Sequence, residues 1–592
     1  MHRNFQLGIL ALSTHAVTVS AARDGHCPPL GAVLPVPTKP SADPAVQSAV
    51  SAFKAIMDEL AQSAVLNTSA MAIGVKSIHE ETPLLEWTFT PPEEYRDPRG
   101  VQQVDFDTVF RIASLSKVFP VLGVLLQNGV SIEDPVTKYV PELRALNEQA
   151  RAQTPIWTTD WDSVTIGSLM SHTAGIAVDM PTDIAEHADL SDYGFPPLNE
   201  SRLMNCSGLL NTPECDRQVF FARFGERAPV ELPFSANPVY SNIAFALLGF
   251  VVEAVTNKPF SEYLHDEIFT PAGMTHSFAE KPDDSLGFIP PNDEWWNATL
   301  GFGAPAGAYY SSINDLLNFG TSILQNKFLS QPKTRKWFKP SVSTSSSGTL
   351  IGQPWEIFRV KNVTSDRRLI ELYTKGGDIK TYHSLLAFIP DYDIVVAILL
   401  GGANTGAFDV LGPFSQMIKT LLPGIEAAGK TQASSAYAGT YTEKESNSTI
   451  TLALDESSGL DITNWVVRGV DVRTTAQGLD LPPLPYPPPP LPEPARFRLY
   501  PSIPSSPAQS DVKGNQTAWR AVPALGTAEE VAGLEAGFVW EMAACVTWAS
   551  LDRLTYMLQS WDHFVFGLEG DNGRAKEVEL AGYGVTLVRE DE

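Results

Sequence analysis

Near residue 430 the sequence changes its period, and one hydrophobic core cannot serve both sides of the change. Before it, apolar residues recur at helical spacing. Val46, Val50, Phe53, Ile56 and Met57 predict a helix over 45–60, and Ile243, Leu247, Val251 and Val255, widened by Leu248 and Val252, predict one over 240–255. Strand-like runs stand at 70–75, 84–89, 385–389 and 393–399, the last two joined through Pro390-Asp391-Tyr392 as a hairpin. A helix over 408–422 closes this part. Helices at both ends of an antiparallel sheet, with a helical stretch between, predict an α/β sandwich with a second helical lobe. After the change, 437–441, 449–454, 460–467, 496–500, 537–547, 556–566 and 578–588 read as successive strands of an all-β, barrel-like module. The run "LPPLPYPPPPLPEP" inside it cannot donate to a ladder and is expected as an extended loop, a stiff spacer.

Length supports this division: 592 residues with 43% hydrophobic content are enough for two cores. Residues 1–22 read as a signal peptide, with His2 and Arg3 ahead of a mostly apolar stretch and Ser20-Ala21-Ala22 as the cleavage region. The expected domains are therefore 23–430 and 431–592, in a secreted, extracellular protein. Sequons at Asn67, Asn199, Asn205, Asn297, Asn362, Asn447 and Asn515 fit a glycosylating route. Of four cysteines, Cys206 and Cys215 flank a short polar loop that a disulfide would close, which leaves Cys27 and Cys545 as a default pair. The formal net charge of −26 would repel phosphate backbones and anionic headgroups, so nucleic acid and membrane surfaces are not expected partners. No C-x-x-C or H-E-x-x-H spacing supports a metal site.

Three short elements carry candidate chemistry. Ser114-Leu115-Ser116-Lys117 sets a lysine one helical turn after a serine, on the same face. A serine hydroxyl is a weak nucleophile until a base takes its proton, and a lysine whose pKa is lowered by burial or by a neighbouring cation can do so. By itself the motif reads equally as a capping serine and a solvated lysine, and Pro120 is expected to kink the helix. Tyr240-Ser241-Asn242 puts a phenol and an amide at the mouth of the strongest helix. Lys375-Gly376-Gly377 stands in strand context, where glycines permit close approach of a ligand to the backbone. His172 in "SHTAGI" is read as a packing residue.

Taken in order, these elements resemble the penicillin-recognising serine hydrolases: class C β-lactamases, D-alanyl-D-alanine carboxypeptidases and related esterases. "DTVFRIASLSK", "TIGSLMSHTAGI", "IFTPAGMTHS" and "PAGAYYSSINDL" extend the likeness over roughly residues 45–422, and the β-rich C-terminal module is similar to that of secreted fungal members. The resemblance implies that Ser114 is the acylated nucleophile, Lys117 assists its deprotonation and Tyr240 relays protons. Asn242 would orient Lys117 and bind the substrate amide, the amides of Ser114 and Asp378 would form the oxyanion hole, and Lys375 would face the substrate. Which of Lys117 and Tyr240 is the principal base stays open. One departure matters: where the lactamases have K-T-G, this chain has Gly376. The missing hydroxyl helps hold a β-lactam or peptide carboxylate, a contact worth about 1.5–3 kcal/mol. Ester or other acyl substrates are expected instead. The implied protein is a cofactor-free serine hydrolase that cleaves an ester or amide of a small molecule through an acyl-enzyme. An acyltransferase of the same fold in natural-product biosynthesis, and a catalytically silent binding protein, are the alternatives.

Overall fold

The computed structural model describes residues 27–590 except 65, 151–155, 180–189, 198–202, 204–205, 207–212, 226, 477–493, 504–514, 525–528, 530–532, 534–535, 538, 540–546 and 570–572. The expected signal peptide, Asn199, Asn205, Cys545 and all but the last residue of the proline run lie outside the described residues. The chain divides into two units, Leu30–Ser435 and Ala436–Glu592, the second also taking in the segment at 27–29.

The first unit is built on eight antiparallel strands. They are β1 (Ala70–Ser77), β2 (Leu85–Phe89), β3 (Val342–Ser343), β4 (Thr349–Ile351), β5 (Glu356–Val360), β6 (Ile370–Ile379), β7 (Tyr382–Ile389) and β8 (Ile394–Gly401), in the order β2-β1-β8-β7-β6-β5-β4-β3. The helices that matter for the site and its support are α1 (Pro44–Leu60), α2 (Val118–Leu125), α3 (Ile243–Thr256), α4 (Ile313–Leu324) and α5 (Phe408–Tyr437).

Alternation along the central strands separates two cores, because successive side chains point to opposite faces. Met71, Ile73, Val75, Val396 and Ile398 join Phe53 and Met57 of α1 and Phe414 and Leu421 of α5 in one core. Ala70, Ala72, Val395, Ala397 and Leu399 face the other way, into a core shared with α2, α3 and α4. The sheet is thus covered on both sides, as the sandwich reading requires. The closing helix runs on to Tyr437 although it was expected to stop at residue 422; Ile425 and Ala428 continue its apolar stripe past Pro423, and that burial outweighs the proline's preference for a helix end.

The second unit is a closed barrel. Its strands are β9 (Gly439–Glu443), β10 (Ser448–Ala453), β11 (Leu460–Val467), β12 (Val470–Asp471), β13 (Phe497–Ile503), β14 (Gln516–Pro523), β15 (His563–Glu569), β16 (Arg574–Leu580) and β17 (Val585–Arg589). They run β10-β9-β17-β16-β15-β14-β13-β11, and β11 pairs back onto β10, so eight strands close while β12 hangs on β11 as a hairpin. Tyr441, Trp465, Phe497, Trp519, Phe564 and Phe566 fill the interior.

The run 578–588 is two strands, broken where Gly584 takes φ +56. The run 556–566 divides between a small hairpin and β15. Thr547, expected to end a strand, begins the short helix Thr547–Ser550; most of 537–546 lies outside the described residues.

Cys206 and Cys215 form a disulfide. Cys27 is also disulfide-bonded. Asn297, Asn362, Asn447 and Asn515 are exposed, and Asn67 is half-buried. Among the described residues no single helix is long and apolar enough to cross a membrane.

Candidate active site

Ser114 is the second residue of a 3-10 turn, Ala113–Lys117, that leads into α2. The turn was expected to be α-helical. In the tighter 3-10 form, side chains three apart eclipse one another, and this stacks Lys117 directly on Ser114. Pro120 falls in the first turn of α2, where a missing N–H costs least. Ala113 takes φ +46, a left-handed conformation that costs a residue with a Cβ roughly 1–2 kcal/mol. Neighbouring bonds hold it there: Ile112 N donates to Tyr309 O (3.0 Å), Ser384 Oγ donates to Ile112 O (2.6 Å), and Tyr309 N donates to Ser116 Oγ (3.2 Å).

Lys117 Nζ lies 3.0 Å from Ser114 Oγ, 2.6 Å from Asn242 Oδ1 and 2.7 Å from Ala306 O, with none of the residue exposed. Tyr240 Oη lies 2.8 Å from the same Ser114 Oγ, and the Lys117 ammonium sits 4.9 Å from the Tyr240 ring centroid. Tyr240 keeps 38% of its surface exposed and Ser114 is half-buried, so one side of the group opens to water. Burial lowers the Lys117 pKa from the ordinary lysine value; Tyr240 opposes this and the Lys375 charge adds to it. For Tyr240, burial alone would raise the pKa, but the charges of Lys117 and Lys375 outweigh it and bring the phenol below its ordinary value. A lysine and a phenol that both shift toward neutrality beside one hydroxyl form a coupled pair.

Other groups fix these two. Asn242, just before α3, accepts from Lys117 and donates through Nδ2 to Asp179 Oδ1 (2.7 Å). The His172 ring stacks on Tyr240, centroids 4.5 Å apart. Its Nδ1 accepts from Ser241 N–H (3.1 Å), so the neutral ring carries its proton on Nε2. Burial, then the Lys117 and Lys375 charges, hold it well below the ordinary histidine pKa. His172 thus packs against Tyr240 and is tied to Ser241.

On the other side runs the end of β6. Because β5 begins at Glu356, opposite Thr374, residues 375–379 have no strand partner on that side. Gly376 N–H emerges from this edge to Glu356 Oε2 (3.0 Å), and Asp378 N–H, two residues on, leaves by the same edge. The first N–H groups of a helical turn lack an intrahelical acceptor, which exposes the Ser114 amide in the same way.

The two glycines also make room for the chain's own atoms. A Cβ on Gly377 would stand 2.1 Å from Ile112 O and 3.0 Å from Leu115 N, so what comes close to Gly377 is the chain's own serine-bearing turn. A Cβ on Gly376 would meet Glu356 Oε2 at 3.4 Å. Lys375 is 1% exposed; its Nζ bonds Glu356 Oε1 (2.6 Å) and Gly376 O (2.8 Å) and lies 5.7 Å from the Tyr240 ring centroid. Burial works against its charge, but Glu356 and then Tyr240 outweigh that and raise its pKa.

The structure thus brings Ser114, Lys117, Tyr240 and Asn242 into one hydrogen-bonded group, with Lys375 at its edge. Asp179, Ala306 and Glu356 carry no signal in the sequence, since each arrives from a distant segment with no spacing relation to the others. Among the described residues no group of three or more His, Cys, Asp and Glu could hold a metal ion.

The family model described as Beta-lactamase matches residues 66–414, and one described as Beta-lactamase-like-like, C-terminal domain, matches 429–591. A "Beta-lactamase-like protein" of Arthroderma benhamiae is 27% identical over 601 aligned positions, covering 96% of this chain and 97% of its own. "Probable hydrolase clz13" of Cochliobolus lunatus is 25% identical over 544 positions, covering 83% of this chain and 80% of its own. Among solved structures, a class C beta-lactamase gives a TM-score of 0.46 at 17% identity, over 64% of this chain and 97% of that one. A D-stereospecific amidohydrolase from Streptomyces sp. gives 0.44 at 19% identity, over 64% and 98%.

Proposed function

The chain belongs to the beta-lactamase family, and from that premise we propose that it is a secreted serine hydrolase that cleaves an ester or amide bond of a small molecule through an acyl-enzyme on Ser114. The observation that carries this reading is the meeting of two basic groups on one hydroxyl, Lys117 Nζ at 3.0 Å and Tyr240 Oη at 2.8 Å from Ser114 Oγ.

The pair has two proton arrangements, ammonium with phenolate and amine with phenol, and either puts one basic site beside the hydroxyl. As Oγ bonds to the substrate carbonyl carbon, its proton passes to that basic site. The carbonyl oxygen takes up negative charge beside the Ser114 and Asp378 amides, each such donor being worth about 3 kcal/mol of barrier. The same proton then goes to the departing alkoxide or amine as the carbon–leaving-group bond breaks. Water repeats the sequence on the acyl-enzyme: it loses a proton to the pair as it bonds to the carbonyl carbon, and that proton passes to Ser114 Oγ as the bond between Oγ and the acyl carbon breaks. Asn242, held by Asp179, keeps Lys117 aimed at the hydroxyl throughout. The exposed side of Tyr240 favours hydrolysis over transfer to another acceptor, because water reaches the group freely.

Secretion is supported by the signal-like residues 1–22, by cysteines held in disulfides, and by four exposed sequon asparagines. A serine-directed fluorophosphonate tests the chemistry. One adduct on Ser114, absent from Ser114→Ala, is expected by mass spectrometry; no adduct, or one that persists in the variant, refutes the reading.

A further inference from the structure

The donors best placed to receive an anionic substrate group already have an owner. Lys375 Nζ and Gly376 N–H stand together where β6 leaves its neighbour, and both are taken by the single carboxylate of Glu356, through Oε1 at 2.6 Å and Oε2 at 3.0 Å. Glu356 does not drift into this position. Its backbone pairs with Thr374, whose hydroxyl donates to Glu356 O (2.7 Å), so the carboxylate is delivered from the first residue of β5. Gly376 contributes by having no side chain: a Cβ there would already touch Oε2 at 3.4 Å, and a threonine would need the space the carboxylate fills.

The pair belongs to the site, since Lys375 Nζ lies 5.7 Å from the ring centroid of Tyr240, whose hydroxyl reaches Ser114 Oγ. The Glu356 side chain remains 31% exposed, so the carboxylate forms part of the accessible wall. Of the other carboxylates around the group, Asp179 accepts from Asn242, and Asp378 stands 3.5 Å from His383 Nδ1.

We propose that Glu356, by taking Lys375 and the Gly376 amide for itself, closes the site to substrates that carry a carboxylate near the scissile bond and reserves it for neutral esters or amides. This rests on the hydrolase reading above. A substrate carboxylate would have to displace Glu356 from two charge-assisted bonds and then lie beside a displaced like charge. A neutral substrate meets no such opposition.

The test uses three esters of one skeleton: a neutral parent, the parent with a carboxylate added on the acyl side, and the parent with a carboxylate added on the leaving side. The full-length protein is expected to prefer the neutral ester in kcat/KM by about tenfold or more over either carboxylate ester. Glu356→Gln is expected to cut that preference about tenfold for at least one of them, while Ser114 is still labelled by a neutral phosphonate. Equal turnover of all three by the unsubstituted protein, or a preference that Glu356→Gln leaves unmoved, overturns the proposal. If the neutral ester is not cleaved and Ser114 is not labelled, the hydrolase reading falls and takes this one with it. A measurement that needs no variant guards against misfolding of Glu356→Gln: a carboxylate inhibitor of neutral-ester turnover should bind at least about tenfold more weakly than its amide isostere. Equal binding would also overturn the proposal.

Discussion

Replacing Gly377 with alanine should separate the serine-bearing turn from the sheet. The added Cβ would stand 2.1 Å from Ile112 O, 2.4 Å from Ser384 Oγ and 3.0 Å from Leu115 N, in a range where real Cβ contacts essentially never fall below 3.0 Å. The Ile112 carbonyl must therefore retreat by about 0.9 Å, and it cannot do so alone. Ile112 is bonded to Tyr309 and Ser384 and is followed by Ala113 in its left-handed conformation, so the displacement passes into Ser114. A shift near 1 Å in a reacting group costs about 100-fold in rate, or about 2.7 kcal/mol of barrier. Overpacking of this kind costs about 1–3 kcal/mol of stability, which leaves the protein folded. The assay pairs kcat/KM for a neutral ester with a thermal melt and the rate of Ser114 labelling. Gly376→Ala serves as comparison, because its Cβ would meet nothing closer than 3.4 Å and should cost far less. A Gly377→Ala protein that labels and turns over like the parent, or a loss equal to that of Gly376→Ala, would refute the argument that this glycine exists to admit the turn.

Asp179→Ala removes the acceptor that holds Asn242 and should lower kcat/KM about tenfold, while Asp179→Asn, which keeps an acceptor oxygen, should recover most of the loss; equal losses in both would refute a positioning role. Lys375→Met removes a positive charge that lowers the pKa of both Lys117 and Tyr240, so the limb of the pH–rate profile on which activity rises with the basic form should move to higher pH. An unmoved limb would sever Lys375 from the proton chemistry. Asp391 is half-buried near Arg368, Glu426 and Asp366, and its partial removal from water raises its pKa to about 6. The folded protein then binds more protons than the unfolded chain between about pH 4 and 6, so this group's contribution to stability falls as pH rises through that window. Asp391→Asn should raise the Tm at pH 7.5, by at most about 3 kcal/mol in stability terms, and flatten the pH dependence; a lowered Tm would show that the charged form is favoured.

Local pattern made part of the site readable. Ser114 with Lys117, and Tyr240 with Asn242, each sit within one short stretch of chain, so spacing places each pair, and the beta-lactamase-like motifs relate one pair to the other. Asp179, Ala306 and Glu356 escape such reading because they approach from a loop, a short helix and a strand start that only tertiary packing brings near. The same contrast holds for the fold. The helices over α1 and α3 follow from their apolar periods, whereas β14 went unread: "QTAWRAVP" alternates weakly and ends in proline, and its place is set by pairing with β13 and β15. A continuous run such as 578–588 hides its turn, because the left-handed Gly584 is one residue among apolar neighbours.

The C-terminal sheet returns on itself where β11 meets β10, so every long strand of the ring has a neighbour on each side, although β9 meets β17 and β11 meets β13 at only two positions each. Strand addition, the route by which many modules zip onto an extended peptide, therefore finds only short lengths of open edge along the described strands of that ring.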